Sequence, residues 1–261
     1  MERSAEEHAV VIGGAGGIGE AVVRRLRARA VPVTVMDLRD PDAAGAGAGS
    51  AGAGGDGDSL RLRVDVTRPD SVEDGFARAA ERFGTPNRLV VSAGAHGQLL
   101  PAVRLDIEAW QRLMDVHVKG TLLAAGVFGR RLLAEREGVD APRDAALVAL
   151  GSTTGITASR GQGDYGPAKA ALAQFVRVLA VEWAAAGIRA NVVAAGQTLT
   201  PFVEKMVADG YDPAPTLART PLGRLALPDE VAAAVEFLLL DATFVTGVSL
   251  PVDGGWTALG R

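Results

Sequence analysis

Short apolar runs alternate along this chain with longer stretches in which apolar residues recur every three or four positions. Residues 9–12 form an unbroken apolar run closed by glycines, which predicts a buried strand, and a helical period follows from about 19 to 29. Residues 32–36 read as a second strand ending at Asp37. Residues 60–64 alternate apolar side chains with arginine, as an edge strand with one wet face does. Asp70, three residues before Glu73, predicts a capping box opening a helix that runs to Phe83. Strand four is predicted at 89–91, followed by a long helical stretch capped by Asp106 and passing through Trp110, Leu123 and Leu133. Strand five is predicted at 146–150, a helix at 165–185, strand six at 189–194, a helix opened by Pro228 and reaching Leu240, and a last strand at 249–252.

Strands separated by helices imply right-handed crossovers and a parallel sheet covered on both faces. The expected fold is therefore α/β: a single doubly wound Rossmann-type domain with a parallel seven-stranded sheet, using the whole chain, 1–261. Residues 43–57, AAGAGAGSAGAGGDG, are the one low-complexity segment and read as a flexible surface insertion without a function of its own.

Composition removes several function classes. Hydrophobic residues make up 48% of the 261, enough for a large core. The formal net charge is -4 and there is no long basic run, so a nucleic-acid partner is not expected. With no cysteine, disulfides and thiolate metal sites are impossible, and a reducing cytoplasm is the natural location. His8, His96 and His117 lack metal-ligand spacing, so no metal is expected. The N-terminal sequence has only a short apolar run, which predicts neither a signal peptide nor a membrane span.

Two constellations carry chemistry. The first is IGGAGGIG, residues 12–19, with glycines at Gly13, Gly17 and Gly19 between the first strand and the first helix. Such a turn lets the backbone approach a pyrophosphate, and the helix N-terminus favours its charge. Asp37 ends the second strand, 37 − 19 = 18 residues later, where a carboxylate accepts ribose hydroxyls and repels a 2′-phosphate. That favours NAD(H) over NADP(H), with Arg39 as the opposing feature. The second constellation is YGPAK, which sets Tyr165 and Lys169 one helical turn apart. With two tyrosines and three lysines in the chain, chance gives this spacing about two times in a hundred. A nearby ammonium is expected to lower the phenol's pKa toward a working base.

In order along the chain, these and further segments resemble the short-chain dehydrogenase/reductase family, in its branch of about 250 residues. IGGAGGIG is similar to T-G-x-x-x-G-I-G, with Ile12 for the threonine; VSAG (91–94) is similar to N-N-A-G; GSTTG (151–155) is similar to the segment with the catalytic serine. GIRANVVAAG (187–196), PLGRLALPDEVAAAVEFLL and VTGVSLPVDGGW resemble the family's C-terminal stretches. The resemblance implies a hydride transfer between NAD(H) and a secondary alcohol or ketone. It makes Tyr165 the general acid/base and Lys169 the group that tunes it and holds the nicotinamide ribose. Ser152, 165 − 152 = 13 residues before the tyrosine, would bond the substrate oxygen. It further implies a cofactor site at Gly13, Gly17, Ile18, Gly19, Asp37, Leu38, Asp65, Val66, Ser92, Ala93 and Gly94, with Gly196, Thr198 and Thr200 bordering the nicotinamide beside Tyr165 and Lys169. A substrate lid at about 197–215 and a homotetramer, or else a dimer, follow from the same resemblance.

Three departures stand out. His117 occupies the place of an asparagine that helps to hold a water in the family's proton relay; an imidazole can do the same and is expected to titrate near neutrality. Val91 and Ser92 replace paired asparagines, and Ala195 replaces a proline. Substrate contacts are expected from His96, Gln98, Gln162, Phe202, Met206 and Tyr211. Three rival functions remain at this point: an NADPH-dependent ketone reductase, a catalytically idle NAD-binding sensor or scaffold, and a sugar-nucleotide epimerase or dehydratase. The last needs an additional substrate region.

Overall fold

Seven strands lie in one parallel sheet, and the chain reads as its hydrophobic pattern predicts. In the computed structural model, residues 7–39, 57–140, 143–208, 210 and 212–259 are described. Residues 43–56 of the low-complexity segment and Tyr211 lie outside the described residues, as do the side chains of Phe202 and Met206. The strands are β1 (Ala9–Ile12), β2 (Val33–Asp37), β3 (Ser59–Arg63), β4 (Arg88–Val91), β5 (Ala145–Ser152), β6 (Ile188–Ala195) and β7 (Ser249–Val252), in the order β3-β2-β1-β4-β5-β6-β7. β1 and β4 are buried throughout, as central parallel strands must be. β3 sits at the edge, which accounts for its exposed arginines.

The helices are α1 (Gly17–Ala28), α2 (Pro69–Phe83), α3 (Ile107–Met114), α4 (Gly120–Arg136), α5 (Tyr165–Trp183), α6 (Pro201–Ala208), α7 (Ala214–Arg219) and α8 (Pro228–Glu236). One apolar layer takes Phe76, Phe128, Leu172, Val176 and Trp183 from α2, α4 and α5. The opposite layer takes Val22, Leu26, Val231 and Val235 from α1 and α8. Asp70 does not cap α2 as expected. Pro69 starts the helix two residues earlier than that cap would, Arg68 is the cap residue, and Asp70 pairs with Arg68 at 2.7 Å. Asp106 does cap α3, accepting from the Ala109 N–H at 2.7 Å. Between α3 and α4 the helix widens over Asp115–Lys119, where the Gly120 N–H reaches back five residues to Asp115. His117 lies on this widened turn and is buried.

The two edges of the sheet differ in kind. At the N-terminal edge, Asp144 bridges Arg189 (2.7 Å) and Arg88 (3.2 Å), and Arg189 also donates to the carbonyls of Leu238 and Leu239. His8 is buried there too, between the Gly84 carbonyl at 2.8 Å and the Thr34 hydroxyl at 2.9 Å. At the C-terminal edge the strands end in register: Ile12 beside Met36 and Val91, and Ser152 beside Ala195, itself beside Val252. The chain leaves β1 for β2 and β3 on one side, then returns to β4 on the other. The crevice of a doubly wound sheet opens at that reversal.

Candidate active site

The sequence motifs follow different strands, and the parallel topology gathers them on the C-terminal edge. The glycine turn comes first. Gly13 adopts φ +77, and a Cβ there would stand 2.4 Å from the Ala93 amide nitrogen. A Cβ on Gly19 would stand 2.1 Å from the Gly13 carbonyl oxygen. The backbone thus lies flush against β4 and opens into the first turn of α1, whose N–H groups have no partner within the helix. Ile18 packs partly against the core beneath, and Thr200 reaches the turn from beyond β6, its methyl 3.4 Å from where a Gly17 Cβ would be. This glycine cradle fits a dinucleotide's pyrophosphate.

Asp37 stands at the end of β2 beside the turn. One carboxylate oxygen accepts the Ala15 N–H at 3.0 Å; the other accepts the Arg39 N–H at 3.0 Å and faces its guanidinium at 3.4 Å. A carboxylate has about four lone-pair positions, so capacity for ribose hydroxyls remains. The Arg39 guanidinium lies over Gly16, where a Cβ would meet it at 2.6 Å. Leu38 is largely exposed next to it. Asp65 is partly committed to its own turn, accepting from the Thr67 N–H (2.9 Å) and hydroxyl (2.7 Å), while Val66 is buried against Gly120.

After β4, the Ser92 N–H bonds the Ile12 carbonyl at 2.8 Å, Ala93 abuts Gly13, and Gly94 lies against the His117 ring. Val91, in the asparagine position, is buried between strands β1 and β5. After β6, Gly196 packs on Asp253, whose carboxylate takes the Gly255 and Thr257 N–H groups; the Thr198 hydroxyl donates to the Gly196 carbonyl at 3.0 Å. Ala195 is held by the strand pairing with Ser152 and Val252, so the missing proline leaves no loose segment before Gly196.

The side chains expected to be catalytic, Ser152, Tyr165 and Lys169, lie where β5 gives way to α5. Ser152 hydrogen-bonds Tyr165, and its Oγ lies 2.9 Å from the Thr154 hydroxyl. Lys169, one turn after Tyr165, is buried, donates from Nζ to the Leu150 carbonyl at 2.7 Å and lies 5.5 Å from the centre of the Tyr165 ring. Here one expectation is corrected. Burial raises the Tyr165 phenol above its ordinary pKa, with the Ser152 hydrogen bond opposing; the lysine does not bring it down in this arrangement. Burial instead lowers Lys169 itself to about 7, because its ammonium is out of water and its hydrogen bond goes to a neutral carbonyl.

His117 is corrected in a second respect. Its ring stands edge-on to Tyr165, centroids 5.3 Å apart, and Nε2 meets the backbone of Ala95, 2.8 Å from the carbonyl oxygen and 3.1 Å from the nitrogen. Burial, then the nearby Lys169 ammonium, lowers its pKa to about 3, so it stays neutral where titration near neutrality was expected. Its Nδ1 is buried without a partner among the described residues.

Of the expected substrate residues, His96 and Gln98 lie on the loop after β4, and Gln162 bridges through its backbone to Leu100 of that loop. Partial burial lowers the His96 pKa. The sequence reading missed Thr154, Asp253 and above all Asp164, which is fully buried immediately before Tyr165. An aspartate just ahead of a helix-starting tyrosine was a legible capping signal.

Comparison with known proteins agrees with this geometry. A family model described as enoyl-(acyl carrier protein) reductase matches residues 13–257. The chain is 39% identical to cis-4-hydroxycyclohexanecarboxylate dehydrogenase of Sinomonas cyclohexanicum, over 99% of each chain. It is 32% identical to the NAD-dependent glycerol dehydrogenase of Listeria innocua, over 95% of this chain and 93% of that one. Among solved structures, a short-chain type dehydrogenase/reductase from Mycobacterium ulcerans superposes with a TM-score of 0.81 at 27% identity, covering 97% of this chain and 90% of that one.

Proposed function

Because the chain belongs to the short-chain dehydrogenase/reductase family, oxidoreductases that bind a nicotinamide cofactor, we propose that it transfers a hydride between NAD(H) and a secondary alcohol or ketone, with Tyr165 as general acid/base. The observation that carries this reading is the meeting of Ser152, Tyr165 and Lys169 on the same sheet edge as the glycine cradle.

The bound dinucleotide supplies the hydride acceptor or donor. Gly13, Gly17, Ile18 and Gly19 would hold its pyrophosphate, Asp37 and Leu38 the adenosine ribose and base, and Asp65, Val66 and Ser92–Gly94 the adjoining wall. Gly196, Thr198 and Thr200 would border the nicotinamide with Lys169. In oxidation the Tyr165 phenolate takes the proton of the substrate hydroxyl; in reduction the phenol returns it. Ser152 donates to the same oxygen as charge develops there. Lys169, lowered to about 7, can carry a proton at Nζ or release it near neutral pH. A neutral His117 can bond a relay water through Nδ1.

NAD is favoured over NADP by the Asp37 carboxylate at the ribose position, and a relative named NAD-dependent supports it. Residues 1–261 act as one catalytic unit, with 197–215, including α6, as substrate lid. The relatives' names direct a substrate panel of hydroxycycloalkane carboxylates and small polyols. Exposed Leu122, Val178 and Val181 on α4 and α5 support a homotetramer. No helix among the described residues is long and apolar enough to cross a membrane, and a cytoplasmic location suits a chain without cysteine.

Nicotinamide fluorescence with NADH and NADPH, on wild type and Asp37→Ala, tests the cofactor assignment. Tighter NADH binding that the variant loses supports it. Tighter NADPH binding would mean that Arg39 outweighs Asp37 and would turn the reading to a ketone reductase. Tight NADH binding without turnover across the panel would leave an idle sensor or scaffold.

A further inference from the structure

Asp164 is fully buried, and each of its carboxylate oxygens holds a backbone N–H from a different part of the chain. Oδ1 accepts from Tyr165 at 2.7 Å, at the start of α5. Oδ2 accepts from Gln98 at 2.7 Å, on the loop after β4. Gly97 lets the loop come this near: a Cβ there would stand 2.6 Å from Oδ1 and 3.1 Å from the Tyr165 Cβ. From Gln98 the connection continues, because its side chain accepts the Asp106 N–H at 2.8 Å and donates to the Asp106 carbonyl at 3.1 Å. Asp106 is the cap of α3.

We infer that Asp164 is a positioning residue, registering Tyr165 against the 94–106 loop, a wall of the cleft in the proposed function because it carries the expected substrate residue His96. A helix cap needs one oxygen, and caps ordinarily serve the second or third helical N–H. Asp164 serves the first, and commits its other oxygen to a residue 66 positions away. Bonds from a buried carboxylate to N–H groups are short and strong, and losing either leaves a buried polar group unpaired. The wall therefore cannot shift without Tyr165 shifting too. Displacement of a reacting group by about 1 Å costs about a hundredfold in rate. This inference rests on the proposed role of Tyr165.

Asp164→Ser keeps a capping oxygen for α5 and removes the tie to Gln98. The expected result is a modest loss of thermal stability, because the Gln98 N–H loses its partner, with NADH affinity unchanged and kcat on the best alcohol of the panel lowered about tenfold to a hundredfold. In the cofactor-free protein, amide exchange should accelerate at 95–100 while α5 beyond Tyr165 stays protected. Gly97→Ala pushes the same contact apart from the other side and should reproduce both signatures. The double variant should be no worse than the poorer single one. Wild-type kcat and exchange in Asp164→Ser would make Asp164 a helix cap only. NADH affinity falling in step with activity in both variants would make it a general structural residue. Full activity in Tyr165→Phe would instead remove the reading on which the inference stands.

Discussion

Two buried, neutral histidines should make this protein sensitive to acid well above the range where carboxylates titrate. Burial lowers His8 from 6.5 to about 4, with its hydrogen bond to Gly84 opposing, and lowers His117 to about 3. In the unfolded chain both return to 6.5, so between these values the unfolded state binds more protons than the folded one. The stability each contributes is therefore complete above about pH 6.5 and is lost as pH falls toward the folded value. At pH 5 the unfolded chain is nearly fully protonated at both sites, and each histidine accounts for about 2 kcal/mol of lost stability. Together they remove about 4 kcal/mol, a large share of a typical domain's stability. Urea unfolding of cofactor-free protein at pH 8 and pH 5, at fixed protein concentration, measures the loss. His8→Gln should weaken the protein at pH 8 but reduce the pH dependence by about half. Histidine NMR should show both buried rings neutral at pH 5 in the folded protein. An unchanged pH dependence in His8→Gln, or a buried ring titrating near 6.5, would refute the reasoning.

Other outcomes concern the site. Tyr165→Phe should lower turnover by about 10²–10⁴-fold while NADH fluorescence enhancement is retained; because burial raises the phenol's pKa, wild-type alcohol oxidation should rise with pH above neutrality while ketone reduction stays level until pH approaches that raised pKa, as initial rates will show. Gly19→Ala puts a methyl 2.1 Å from the Gly13 carbonyl, so NADH titration should show binding lost by more than about tenfold. His117→Asn should leave the limbs of the pH–rate profile in place, since a ring with a pKa near 3 carries no charge at working pH; a limb near neutrality that vanishes in the variant would contradict this.

Most of the fold was legible because its strands are buried on both faces. The run at Ala9–Ile12 and the last strand at Ser249–Val252 have the bounds their apolar residues predict. The arginines of β3 marked it as an edge. Asp70 misled because two capping signals overlap, and Pro69 at the first helical position prevailed. The site was legible as a set of motifs, since each follows a strand and parallel strands end together. Its electrostatics were not. Whether a lysine lowers its tyrosine or is itself depressed depends on burial and on the direction of Nζ, neither of which spacing encodes. Asp164 was missed for a similar reason: its capping role is local, but its second partner, Gln98, is 66 residues distant.

The bridge of Asp144 to Arg88 and Arg189 has a consequence for how this molecule can change. It fastens three strands at the edge opposite the chemistry, and Arg189 extends it to the carbonyls after α8. Mechanical closure of the sheet and selection of the substrate are thereby assigned to opposite ends of the same strands. New recognition segments can be grafted beyond β6 without disturbing the clasp or the tie of the 94–106 loop to Tyr165, which makes this chain a chassis for altered specificity.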